Sequence, residues 1–276
     1  MGNWSYYSRD KLKLDLGETG TTDDDMFRRA LEEASEQLDA YLGRTFRVVT
    51  ATRYYTADSR RCLPVHDLLA VTTLKTLTAN SGGTRTYGDT WAAVDYDLGP
   101  DNASTDREPY TEIRRNPEGA YSFPVTTRGV EIVGRWGYFQ ELAVVASLLA
   151  EALDTSETGV DVDAGTDFDV LDTILVDSEQ MYVTAISTNT MTVVRGVNGT
   201  TAAAHDNDSA ISRYKYPEVL ASACRRQAGR LYQQAKAPSG MMGGGDPGQT
   251  RIRSDLDWDI RNSIDHLRYP GILAWA

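Results

Sequence analysis

Apolar residues recur at steps of three and four between Phe27 and Leu42. Phe27, Ala30, Leu31, Ala34, Leu38, Tyr41 and Leu42 share one face, which predicts an amphipathic helix. Thr22 or Asp23 is placed to cap it, Asp24 and Asp25 suit its positive end, and Gly43 supplies a left-handed stop. A second stripe, Leu220, Cys224, Gln227/Ala228, Leu231 and Ala235, follows Pro217, a residue suited to the first helical position. A third, Leu256, Ile260, Ile264 and Leu267, follows Ser254 and Asp255 and stops at Pro270-Gly271. The run from about Phe139 to Leu153 also reads as a short apolar helix.

Between these helices the pattern changes to runs rich in Val, Thr and Tyr. Arg47–Ala57 and Val71–Ala79 read as strands, with Leu63-Pro64 breaking the chain between them and Asn80-Ser81-Gly82-Gly83 turning it. Short strands are expected near Trp91–Tyr96, Tyr110–Arg114 and Gly129–Arg135. Further on, Thr173–Asp177, Met181–Ser187, Thr190–Val197 and Ala210–Tyr214 form a second β-rich group, with a hairpin turn at Ser187–Thr190. This group reads as an inserted module spanning 158–210. The remainder, 1–157 with 211–276, reads as a helical core carrying a β-rich segment at 46–136. The expected fold class is therefore α+β: a bundle of three to four helices with β-rich elaborations and an inserted β module.

Composition narrows the function. Apolar residues make up 41% and charged residues 25%, with a formal charge of −12. So acidic a chain gains no counterion-release energy on DNA, which argues against a general nucleic-acid binder; the same sign suits a surface that DNA slides past. The opening residues are too polar for a signal-peptide core, and the longest apolar stretch, Leu142–Ala150, is too short to cross a bilayer, so no membrane partner is expected. Cys62 and Cys224 lack metal-type spacing and read as reduced.

Candidate chemistry is sparse. In VVRGVNGTTAAAH (Val193–His205), Gly199 is followed by Thr200-Thr201 with no lysine near, so a phosphate loop is not formed; Asn198-Gly199 reads as a turn. His205 has no second histidine at ligand spacing. The segment Glu151–Asp172 holds eight acids and no lysine or arginine. A calcium loop started at Asp161 is out of register by one, which leaves a solvated acidic linker or a looser site from Asp161, Asp163, Asp167 and Asp169. Pro238–Gln249 is glycine-rich and reads as a connector. No nucleophile signature occurs, His66, His205 and His266 lie far apart in sequence, and neither an enzyme nor a cofactor is expected. Arg225, Arg226 and Arg230 form a basic patch on one helix, a candidate subunit interface, and the tail Ile272-Leu273-Ala274-Trp275 is a candidate docking element.

Four segments, ALEEASEQLDAYLGRTF, VEIVGRWGYF, PEVLASACRRQAGRLYQQ and IRSDLDWDIRNSIDHLR, together resemble the head–tail connector proteins of tailed phages, the adaptor or head-completion family. The stretch TILVDSEQMYVTAIS…TMTVVRGVNGTTAAAH is similar to a small β module that recurs in phage structural proteins. The resemblance implies a helical-bundle virion protein of the neck, assembled in the host cytoplasm. It would form a ring, usually twelve-fold, beneath the portal, pass packaged DNA through its lumen without sequence-specific binding, and present a surface to the next neck or tail protein. Portal contact would fall to Leu267, Arg268, Ile272, Leu273 and Trp275. Two alternatives stay open: a stopper or tail-completion component, and a calcium-dependent binding or decoration module with Trp91, Tyr96 and Tyr121 as a platform.

Overall fold

The computed structural model describes residues 3–138, 141–236 and 255–269, together with the backbone pairing of 241–242 with 250–251. In chain order the elements begin with helices α1 (Arg9–Asp15) and α2 (Asp24–Leu42) and strands β1 (Val49–Tyr55), β2 (Cys62–Ser81), β3 (Thr84–Trp91) and β4 (Tyr96–Gly99). A one-turn helix α3 (Ala103–Asp106) precedes β5 (Tyr110–Arg115), β6 (Val130–Trp136) and β7 (Glu141–Leu148). Then come β8 (Gly159–Asp161), β9 (Thr173–Val176), β10 (Glu179–Ser187), β11 (Thr190–Val194) and β12 (Ala210–Lys215). Helix α4 (Glu218–Lys236), the short pair β13 (Met241–Met242) and β14 (Thr250–Arg251), and helix α5 (Trp258–Ile264) complete the chain.

The expected helical-bundle core is not what forms. Among the described residues the protein is mostly β: two antiparallel sheets of six strands each, with only about 28% helix. One reason is local. The run expected as a helix from Phe139 to Leu153 is strand β7, paired with β12 from Glu141↔Lys215 to Leu148↔Ala210. A short continuous apolar run fits a buried helix and a buried strand equally well, and here a waiting strand edge decides.

The chain divides into two compact units, 45–140 and the combination of 1–44 with 141–276. In the first, strands order β1-β6-β2-β5-β4, with β3 also on β2. Strand β2 runs through Pro64 rather than stopping there, with the ladder irregular between Pro64 and Leu68. Leu63, Leu68, Leu74, Ile113, Phe123, Ile132 and Trp136 fill its core and are fully buried. Trp136 also donates its indole N–H to the Ala51 carbonyl at 2.9 Å.

The second unit holds a helical layer and a small barrel. Helix α2 packs on α4 through small residues: Ala34, Ser35, Ala223, Cys224 and Ala228 are all buried, and Ser35 Oγ lies 3.4 Å from Cys224 Sγ. Gly43 ends α2 at φ 65°, as a left-handed stop should. Phe27 stacks on Tyr232 with centroids 3.9 Å apart. Helix α5 packs on α4. It starts at Trp258 with Asp257 at the capping position; Ser254 lies outside the described residues.

The barrel sheet orders β7-β12-β9-β10-β11-β8. Its two edges meet: Leu149 bridges Val162, Ala150 N–H donates to Asp161 O at 2.9 Å, and Asp163 N–H donates to Leu148 O at 3.2 Å. The sheet therefore closes on itself around Val160, Ile174, Val176, Met181, Val183, Met191, Val193 and Ile211. The module thus takes in 141–148 and 210–215 as well as the expected insert. The acidic stretch 151–172 is part of its wall rather than a linker, since it contains β8, the Val162 bridge and a 3-10 turn at Gly165–Asp167. The acidity is concentrated here. Residues 141–215 carry thirteen Asp and Glu against three Lys and Arg, ten of the chain's twelve surplus negative charges, whereas 45–140 carries eleven of each sign.

Candidate functional site

Among the described residues, the most organised polar site sits at one end of the barrel and is built on VVRGVNGTTAAAH. Met181 and Val183 point inward from β10, and Met191 and Val193 point inward from β11. Alternation carries that inward face to Glu179 on one strand and to Arg195 just past the other. Both side chains are buried, Glu179 completely. Arg195 Nε and Nη2 grip the carboxylate at 2.6 and 2.7 Å, a bidentate pair. The remaining guanidinium donors reach the carbonyls of Asp154 (2.9 Å), Glu157 (2.8 Å) and Ala203 (2.6 Å), so all five are used.

Glu179 accepts three further bonds, from Gly196 N–H at 3.0 Å, Ala203 N–H at 2.9 Å and His205 Nε2 at 3.0 Å. The other ring nitrogen of His205 lies 2.7 Å from Asp177 Oδ2. Burial alone would raise the Glu179 carboxyl; Arg195, the two backbone N–H groups and His205 outweigh it and hold the group at about 2. The intervening chain must turn sharply, and Gly196 (φ 61°), Asn198 (φ 55°) and Gly199 (φ 80°) all take the left-handed conformation. Asn198 then donates to Gln180 Oε1 at 2.9 Å, and Thr200 Oγ accepts from Gln180 N–H at 3.0 Å.

The stretch is therefore a turn, but not a hairpin back onto β11: after Thr200 it crosses to pair His205 with Leu153. Chemically, the arrangement clamps a loop. Both nitrogens of the buried His205 ring are taken by carboxylates, and Arg195 has no donor left over, so neither group is presented to a substrate.

A second polar cluster joins the barrel to the helical layer. Asp172 Oδ2 lies 3.2 Å from Arg213 and accepts from Asp169 N–H at 2.9 Å. Asp169 in turn holds Arg213 at 3.3 Å and Lys11 of α1 at 2.8 Å. Burial pushes the Asp172 carboxyl up to about 6 against the pull of Arg213. Nearby, Tyr182 donates to Glu32 of α2 at 3.4 Å, and burial raises the Glu32 carboxyl as well.

The residues singled out from sequence fall as follows. Arg225, Arg226 and Arg230 each meet a carboxylate of their own chain: Asp15 at 3.4 Å, Asp259 at 2.9 Å and Asp257 at 2.5 Å. Leu267 is buried, and Arg268 lies over the Tyr41 ring at 5.3 Å. Ile272, Leu273 and Trp275, like most of Pro238–Gln249, lie outside the described residues. The acids of the calcium reading do not converge: Asp161 accepts from Thr190, Asp163 from Leu148 N–H, and Asp169 takes Lys11 and Arg213. Among the described residues no group of three or more such side chains is placed to hold a metal ion. Trp91 is no open platform either, being buried and stacked on Phe123 and Tyr121. Comparison with protein-family models, with curated proteins and with solved structures finds no match to this chain.

Proposed function

We propose that this chain is a structural virion protein of a phage neck, a head-to-tail adaptor that forms a ring beneath the portal and joins the filled head to the tail. The observation carrying this reading is the meeting of three of the four segments that bear the resemblance. Helices α2, α4 and α5 come from opposite ends of the sequence yet form one layer, tied by Gln227 to Gln37 at 2.7 Å, Tyr41 to Asp265 at 3.0 Å and Arg226 to Asp259. The acid surplus of the barrel supports a protein that packaged DNA passes without adhering.

The test is a pull-down of the full chain on portal-bearing, DNA-filled heads, followed by imaging of the vertex. A ring of added density directly beneath the portal, expected to be twelve-fold, supports the adaptor. No binding refutes the neck assignment. A second reading, a stopper or tail-completion component, gains from the β-rich architecture. Density lower in the neck or in the tail would favour it.

A further inference from the structure

Strand β7 is an unusual edge. From Leu142 to Leu149 it reads LAVVASLL, with no charge, proline or glycine. Solvent-facing edges in natural sheets normally carry such residues, because a bare apolar edge recruits other strands. One side of β7 pairs with β12. The other side meets the barrel only at its end, where Leu148, Leu149 and Ala150 close on Asp161–Asp163 and Ser147 Oγ accepts from Ala164 N–H at 2.9 Å. Among the described residues no strand pairs with the free side of Leu142–Ala146. Val145 packs on the barrel core and Ser147 is buried, so the alternate residues face outward: Val144 is 80% exposed and Ala146 is exposed, with Ala150 and Ala152 beyond them.

Charge selects the occupant. Of the three basic residues in 141–215, Arg195 is consumed inside the barrel, Arg213 is paired with Asp169 and Asp172, and Lys215 stands opposite Glu141. The acids Glu151, Glu157 and Asp161 gather where the strand ends, close enough that Asp161 and Glu157 raise the Glu151 carboxyl. A second copy of the barrel would bring ten surplus negative charges against ten. We propose that the free edge of β7 docks an extended, lysine- or arginine-bearing segment of a partner protein, which adds a strand along Leu142–Ala146. Its apolar side chains lie beside Val144 and Ala146, and its basic ones reach Glu151, Glu157 and Asp161. Backbone pairing supplies affinity in this mode and the flanking side chains supply selectivity. The proposal concerns the barrel and stands apart from the neck reading.

The probe is a ten-residue peptide alternating valine and lysine, compared with its valine–glutamate counterpart, on the full-length chain. Amide hydrogen exchange is followed residue by residue. Saturable slowing at Leu142–Ala146 with the lysine peptide is expected, with binding at least tenfold weaker for the glutamate peptide. Val144→Lys, at an exposed position, should abolish the slowing without altering the fold, and the Glu151→Gln/Glu157→Gln pair should weaken binding severalfold. Three outcomes overturn the idea: binding that leaves exchange at 142–146 unchanged, equal binding of the two peptides, or protection of this edge that appears with rising protein concentration alone, which would assign it to self-association.

Discussion

Replacing Glu179 by glutamine removes a charge and almost no volume, which makes it a direct test of the barrel clamp. The carboxylate is fully buried and held at about 2, against an ordinary value of 4.5. At about 1.4 kcal/mol per tenfold change, that difference corresponds to about 3 kcal/mol of stabilisation by the ionised form. The variant also leaves the Arg195 guanidinium buried without its counter-charge, a situation that typically costs about 3–5 kcal/mol. The two figures describe the same interaction, so the expected loss at pH 7 is about 3–4 kcal/mol, or roughly 10 °C in Tm for a unit of this size. The folded value lies below the unfolded one. The wild-type contribution is therefore complete above about pH 4.5 and disappears as pH falls toward 2. Urea unfolding between pH 5.5 and 3.5 should show the wild type losing stability faster than Glu179→Gln. A companion variant, Glu179→Leu with Arg195→Met, removes both charges and should recover part of the loss. A Glu179→Gln protein within about 0.5 kcal/mol of wild type at pH 7, the scale of an ordinary surface change, would refute the reasoning.

The other expectations concern packing and a second buried acid. Asp172 is raised to about 6 from 3.8, so its ionised form is the disfavoured one; the strain is present above pH 6 and is relieved as pH falls toward 4. Asp172→Asn should accordingly stabilise the fold at pH 7.5, by at most about 3 kcal/mol, and narrow the difference between pH 7.5 and 5; destabilisation at pH 7.5 would contradict this. Gly165→Ala should destabilise the barrel by about 2 kcal/mol or more, because a Cβ there meets the Thr188 carbonyl, whereas Gly20→Ala, with open space around it, should be nearly neutral in the same thermal melt. Leu267→Ala truncates a buried side chain and should cost about 2–4 kcal/mol of folding stability before any partner is added; an unchanged melt would return Leu267 to the surface.

Periodicity made the long helices readable. The stripes over Phe27–Leu42 and Leu220–Leu231 are the buried faces of α2 and α4, and Gly43 stops the first. The short α1 was not readable. Seven residues carry too little period, and its Ser8 cap stands among polar neighbours. Strand β7 reads as helix because ELAVVASLL has no alternation to separate strand from helix, and its state is decided by β12, some seventy residues away.

The clamp has a signal in the sequence. Extending the inward positions 181 and 183 back to 179, and 191 and 193 forward to 195, places an acid and a base on the core face of adjacent strands. Neither can remain buried alone. The chain gave no comparable sign of His205's partners, since Asp177 and Glu179 reach it only through the crossing after Thr200.

The ladder between β7 and β12 begins with Glu141 opposite Lys215, so the chain enters and leaves the barrel through neighbouring residues. The other β unit has the same arrangement, for Tyr138 N–H donates to Thr45 O at 2.8 Å. Two cassettes, each with its ends side by side, are thus spliced in series between α2 and α4. Either could be excised and its stubs rejoined by a short turn, because paired strand ends lie only about 5 Å apart. Each cassette would then leave the flanking chain ends where they are, so its loss changes the length of the chain but not the path that the two ends take.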